Sequence, residues 1–512
     1  MRMTIVTRWP PRGQCRRRLS ESAGEPAKSA DQTLYDTFLM LFTSYRYAFF
    51  VLVAFCVYYL AARVSRGRRV QNLALLALSY LFYAFWDWRW CVLLAAVTTS
   101  GYLGALLLGE RQTRRRPVLL AVLIIDLGAL GVFKYFGFFT DSFAALLRGF
   151  GLHADSVTLS LILPVGLSYY VFQNLSYVID VYRREMSATR GTLEYAAAMS
   201  FFPQLLAGPI TRPRDLVPQL LERRGFDDAR ARDGLRQVLW GLTKKMLIAD
   251  NIGVQVDYVW ANIGRLDGVS LVTAAVLYSV QIYCDFSGYA DIAIGTAKLF
   301  NLRLSKNFDC PYFSTSVRMF WRRWHITLAS WMRDYLYIPL GGSRAGPWRH
   351  AFNLVATFLA VGLWHGAAWT FVVWGGLHGA YLVAEGRLRA RPSGSRSDRG
   401  RPATALLAGI VTFALVTFAW VFFRAPSLGA ATDYLVQAVS RPFGAGDFAR
   451  FVPTLLLSAA LLAYEWLTRG WEHGLAISSA PLPARWTAYV GLCMALLIFG
   501  YLGTRQGIYV QF

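Results

Sequence analysis

The chain has 512 residues, of which 55% are hydrophobic and 16% charged, and it carries a formal net charge of +23. So much apolar sequence excludes a soluble globular protein, whose core would need far more polar surface to cover it. The positive charge does not point to nucleic acid, because it falls in alternate loops between apolar runs rather than along one tract.

The first 39 residues differ in kind from the rest. Arg8, Arg12 and Arg16, Arg17 and Arg18 lie among Pro, Gly and Ser with no apolar h-region, so this is not a secretory signal peptide. The reading is a basic extension, either a disordered arm or the product of a start assigned upstream of Met40. From Met40 onward a single membrane domain, 40–512, is expected.

Apolar runs long enough to span a bilayer recur along that domain. They occupy 47–62, 73–85, 91–108, 118–139, 159–179, 271–282, 354–373, 406–423, 455–464 and 489–502, with weaker ones at 239–248 and 374–383. This makes roughly 11 or 12 crossings of an all-α polytopic integral membrane protein, with re-entrant or interfacial helices besides. Arginine-rich loops near 63–69, 111–116, 183–190, 212–236, 303–349 and 387–401 are cytoplasmic by the positive-inside rule. Cys15, Cys56, Cys91, Cys284, Cys310 and Cys493 show no CxxC spacing and read as packing residues. Neither GxxxxGK[ST] nor GxGxxG occurs, which removes the usual nucleotide-binding loops.

Four stretches carry candidate chemistry. FFPQLLAGPITRP (201–213) interrupts apolar residues with three prolines and predicts a re-entrant or interfacial segment. QIYCDFSGYADIAIG (281–295) sets Asp285 and Asp291 in or beside a span, where carboxylates must be paired or face a cavity. They either pin helices together, the favoured reading, or orient a histidine. In RMFWRRWHITLASWMRDYLYIPLGG (318–342), Trp321, Trp324, Leu328, Trp331 and Tyr335 recur at intervals of three and four. This predicts one amphipathic helix at the cytoplasmic interface, with tryptophans at headgroup level and Arg318, Arg322, Arg323 and Arg333 around them. His325 on that helix is incidental or functional. VGLWHGAAWTFVVWGGLHGAY (361–381) puts His365 inside an apolar run and His378 beyond Gly375 and Gly376, which are expected to interrupt the helix. An ionisable group within a span is a functional hypothesis by default, and a neutral histidine there can act as general base and then acid. A histidine bonded to a neighbouring helix is the plain alternative. Three histidines with no HExxH spacing or supporting Cys/His pair do not make an expected metal site.

The sequence resembles the membrane-bound O-acyltransferase family, in its alginate O-acetylation branch. The motifs are MLFTSYRYAFF (40–50), PVGLSYYVFQNLSYVIDVYR (164–183), FFPQLLAGPITR (201–212), YCDFSGYADIAIG (283–295), FWRRWHITLASWMRDYLYIPLGG (320–342) and GLWHGAAWTFVVWGGLHG (362–379). The resemblance implies a bacterial inner-membrane enzyme with His365 as catalytic residue, His325 as a second functional histidine, and His378 as a matched position of less defined role. It further implies a cytoplasmic acyl thioester donor, acetyl-CoA, and no bound cofactor. The acceptor would be an exported polysaccharide or a periplasmic acetyltransferase partner. Arg318, Arg322 and Arg323 are candidates for donor phosphates as well as for membrane anchoring, and His378, Asp285 and Asp291 for supporting roles. Two alternatives accompany this reading: D-alanyl transfer to teichoic acid from a carrier-protein thioester, and a proton-coupled transporter using His365, Asp285 and Asp291.

Overall fold

A computed structural model describes residues 40–64, 67–110, 114–152, 163–206, 208–344, 346–390, 402–442, 448–501 and 507–508. Residues 41–512 form one compact unit; the basic extension and the linker at 391–401 lie outside the described residues. Among the described residues the fold is all-α, with no strand. In chain order the helices are α1 (Tyr45–Val64), α2 (Arg68–Glu110), α3 (Arg115–Gly149), α4 (Leu167–Arg183), α5 (Thr192–Met199), α6 (Phe202–Leu205), α7 (Pro213–Leu220), α8 (Asp228–Leu242) and α9 (Asp250–Ala261). They continue with α10 (Gly268–Leu299), α11 (Val317–Arg323), α12 (Ile326–Met332), α13 (Pro347–His365), α14 (Trp369–Ala390), α15 (Pro402–Arg424), α16 (Leu428–Ser440), α17 (Phe448–Thr468) and α18 (Leu482–Phe499).

Among the described residues seven of these, α1, α2, α3, α10, α15, α17 and α18, are long and apolar enough to cross a membrane. One of them, α2, is folded back on itself. In α2 the backbone leaves helical geometry at Asp87 (φ −166°, ψ 117°), and Cys91 Sγ lies 3.7 Å from the carbonyl of Tyr80. A straight helix would hold residues eleven apart at about 16 Å. The chain therefore doubles back at Asp87, and the runs 73–85 and 91–108 become the two arms of a hairpin.

Other expected spans are built differently. The run 354–373 is not one span: α13 ends at His365, residues 366–368 turn, and α14 begins at Trp369. The weak run 239–248 is the end of α8 followed by a π-helical segment, Thr243–Ala249, that buries Lys244 and Lys245. The proline-rich segment is the short α6 and then non-helical backbone; its described residues are all buried. Backbone of that kind is tolerated at membrane depth only where protein surrounds it.

The axis of the unit is α10, most of whose side chains are buried. It lies tightly against α8, because glycines face glycines: a Cβ on Gly241 would come within 2.6 Å of the Gly288 carbonyl, and one on Gly234 within 2.6 Å of the Gly295 carbonyl. Small residues at such a seam let two backbones approach where lipid supplies no hydrophobic drive for association. The outer helices instead present apolar side chains outward. Leu497, Ile498 and Phe499 of α18 are each about two-thirds exposed, and none of its residues is buried.

Candidate active site

The aromatic stretch around His325 is not one surface helix. α11 ends at Arg323, Trp324 is extended, and His325 adopts the left-handed conformation (φ 42°, ψ 54°) before α12 begins. A non-glycine residue there costs of order 1–3 kcal/mol and persists only where its surroundings enforce it. Trp321, Trp324, Leu328, Trp331 and Tyr335 are all buried in protein, while Arg318, Arg322 and Arg333 remain exposed. The three-and-four spacing is therefore amphipathic as expected, but its apolar face packs into the core and not into headgroups.

The enforcing element is the segment that follows α10. Asn307 O accepts from Ile326 N (2.9 Å), and Asn307 Oδ1 accepts from Thr327 N (3.3 Å) and Thr327 Oγ1 (2.8 Å). Because these donors identify Oδ1 as the oxygen, the 3.1 Å contact to His325 Nδ1 requires that Nδ1 carry the proton. The lone pair of the neutral ring then sits on Nε2.

His365 is the last residue of α13, buried, with its ring edge-on to those of Trp364 (4.9 Å), Trp374 (5.0 Å) and Phe423 (5.3 Å). Its ring centre lies 6.4 Å from that of His325. Two histidines forty residues apart in sequence thus share one aromatic chamber.

Gly375 and Gly376 do not interrupt α14. Gly375 allows contact with α13, since a Cβ on it would lie 2.2 Å from the Phe358 carbonyl, and one on Gly362 would lie 2.2 Å from that of Phe371. His378 comes into the same aromatic cluster through Trp374 (5.1 Å), and its Nδ1 accepts from Trp321 Nε1 at 3.2 Å.

A cavity of about 470 Å³ lies beside this cluster. Its lining includes Arg318, Arg322, Arg333 and His350, with Trp321, Leu328, Phe358 and Val361 as apolar walls. Trp321 thus links the cavity wall to His378. Arg323, grouped with the other arginines in the sequence, does not line it. Arg333, named with them as part of the charged face, does line it, and so does His350, which its distance in the chain concealed.

Asp285 and Asp291 are paired with lysines and, among the described residues, show no contact with a histidine. Asp285 contacts Lys245 Nζ (2.7 Å) and accepts from Ile508 N (2.8 Å). Asp291 contacts Lys244 Nζ (2.6 Å) and accepts from Gln237 (2.8 Å). They pin α10 to the π segment, which is the structural role favoured from sequence. Among the described residues no group of three His, Cys, Asp or Glu side chains is placed to hold a metal ion.

Sequence reading missed Lys134. It interrupts the apolar run 118–139, and the rule applied to His365 would have marked it equally.

A polytopic helical protein with a buried histidine pair is the class that the fold and the chamber define. The family model of the membrane-bound O-acyltransferases matches residues 181–423, a stretch that contains both histidines. The probable alginate O-acetylase of Azotobacter vinelandii is 39% identical over 434 residues, covering 83% of each chain. That of Pseudomonas putida is 41% identical over 396 residues, 77% of this chain and 79% of the relative. A peptidoglycan O-acetyltransferase of Helicobacter pylori is 35% identical over 427 residues, 78% of this chain and 79% of that one. The chain belongs to the membrane-bound O-acyltransferase family, and it is an O-acyltransferase.

Proposed function

We propose that the enzyme moves an acetyl group from acetyl-CoA, entering from the basic, cytoplasmic face, to a hydroxyl of an exported polysaccharide or of a periplasmic acetyltransferase partner. The observation that carries this reading is the meeting of His365 and His325 in one buried chamber, 6.4 Å apart between ring centres. The names of the alginate-type relatives support acetyl as the group and a polysaccharide as the acceptor.

In the reaction the hydroxyl oxygen bonds to the acyl carbon and the C–S bond breaks. His365 takes the hydroxyl proton as the oxygen attacks, then returns it to the departing thiolate, so no proton is lost or gained overall. His325, its Nδ1–H committed to Asn307 and its lone pair on Nε2, holds the thioester or assists the transfer. His378 keeps Trp321 in place at the cavity wall. Arg318 and Arg322, with Arg333, bind the donor's phosphates at the cavity through charge-assisted hydrogen bonds.

The test is acetylation of the exported polymer in an H365A strain. The expected result is its loss, with the protein still present in the membrane at its usual level. Near-normal acetylation at equal abundance would overturn the reading.

A further inference from the structure

α13 stops at His365, so the carbonyls of its last turn have no partners further along the helix. Two of them are taken up from another helix. Lys134 Nζ donates to the carbonyl of Trp364, and Tyr135 Oη donates to that of Leu363 at 2.9 Å. Both donors belong to a five-residue π-helical segment within α3, Gly131–Tyr135. Consecutive residues of a regular α-helix point about 100° apart, and the wider π turn narrows that angle. The bulge thus lets neighbouring side chains grip neighbouring carbonyls, and such bulges are frequent at functional sites.

The grip is made by a lysine where a hydroxyl could satisfy the same carbonyl. A lysine within a span is expensive, yet here its Nζ sits at the C-terminal end of a helix, whose unpaired carbonyls and negative dipole favour a donor. It also lies 3.3 Å from Ser168 Oγ and 5.7 Å from the centre of the Trp364 ring, the ring that packs against both His325 and His365. Three ties thus converge on the two residues immediately before His365.

We infer that Lys134 and Tyr135 are positioning residues for the acyl transfer, setting the direction of the His365 ring by clamping the two carbonyls that precede it. The inference rests on the catalytic reading of His365. Lys134 acts through the backbone carbonyl of Trp364, the residue before His365. Its loss lets the helix end shift, and a shift of about 1 Å in a reacting group can cost 100-fold in rate.

Membrane vesicles containing H365A, K134M, K134R or Y135F protein are supplied with acetyl-CoA and with the cell's own exported polymer, chemically deacetylated. Turnover is expressed per molecule of membrane-inserted enzyme. K134M is expected to lower kcat about 10- to 100-fold with the KM for acetyl-CoA within about twofold of wild type, and Y135F to lower kcat less. K134R, which keeps a hydrogen-bond donor there, is expected to restore most of the loss.

A K134M enzyme with wild-type kcat beside an inactive H365A enzyme overturns the inference alone. So does a loss that follows abundance only, a rise in KM only, or a K134R enzyme as impaired as K134M. An active H365A enzyme removes the catalytic reading first, and this inference with it.

Discussion

Two buried polar regions lie side by side in this protein and are built on opposite rules. Between α8, the π segment and α10, each charge meets an opposite charge: Lys244 with Asp291, and Lys245 with Asp285. In the chamber between α11, α13 and α14, the histidines meet neutral partners, Asn307 for His325 and Trp321 for His378, within aromatic walls. An ion pair cancels field and fixes geometry. A neutral partner fixes a tautomer and leaves the ring able to exchange a proton. The difference teaches which buried polar groups of a membrane protein to read as fastening and which as chemistry.

The sharpest way to break that comparison is to exchange the two kinds of damage. H365A is expected to lower polymer acetylation about 10²- to 10⁴-fold with little change in thermal stability, measured on purified protein in detergent. K244M should do the reverse. Removing one partner of a buried ion pair costs about 3–5 kcal/mol, so the melting temperature and membrane abundance should fall while turnover per folded molecule holds. The double variant K244M/D291L should recover part of that stability, because Asp291 is no longer left unpaired, while the buried Glu465 nearby still loses the lysine's field. A K244M enzyme that is stable but inactive would place the lysine seam with the chemistry.

A smaller effect is expected at the cavity. R318Q and R322Q should each raise the KM for acetyl-CoA about tenfold, the equivalent of one charge-assisted hydrogen bond, with kcat unchanged. Added salt should reproduce part of that rise in the wild-type enzyme. If KM stays constant in both variants, the arginines serve the membrane surface instead.

The smallest effect concerns Asp233. The hydrogen bond from His473, and that from Lys298, hold its carboxyl well below the usual carboxylate range despite partial burial. A carboxyl lowered on folding stabilises the fold above its unfolded value, near 3.9, and loses that contribution only as pH falls through the lower folded value. D233N should therefore cost a modest stability at pH 5, and progressively less as pH falls below about 3.9. A cost that shrinks by pH 5 would mean that the carboxylate is already protonating there.

The membrane class was legible because it rests on local composition, long apolar runs, and His365 stood out as an ionisable residue inside one. The chamber was not, because its making is tertiary. The tryptophan spacing through 318–335 continues the helical period across His325, so periodicity hides a break that a positive φ creates. Asn307, which fixes the tautomer of His325, stands in a stretch with no pattern of its own. Gly375 and Gly376 read as a break in the chain, since glycine weakens a helix by about 1 kcal/mol; a close neighbour turns the same residue into a requirement. Lys244 and Lys245 were visible in GLTKKMLIAD, but only the fold shows that Asp291 and Asp285 wait for them.

The contact between α13 and α14 has a genetic side. At Gly362 and Gly375 a Cβ would fall 2.2 Å from a backbone carbonyl of the facing helix, and a carbonyl in a helix cannot step aside as a side chain can. Every amino acid other than glycine carries that carbon. All missense changes at these two codons therefore begin with the same lesion, a hairpin pushed open beside His365, and alanine should be the mildest allele at both without being silent at either.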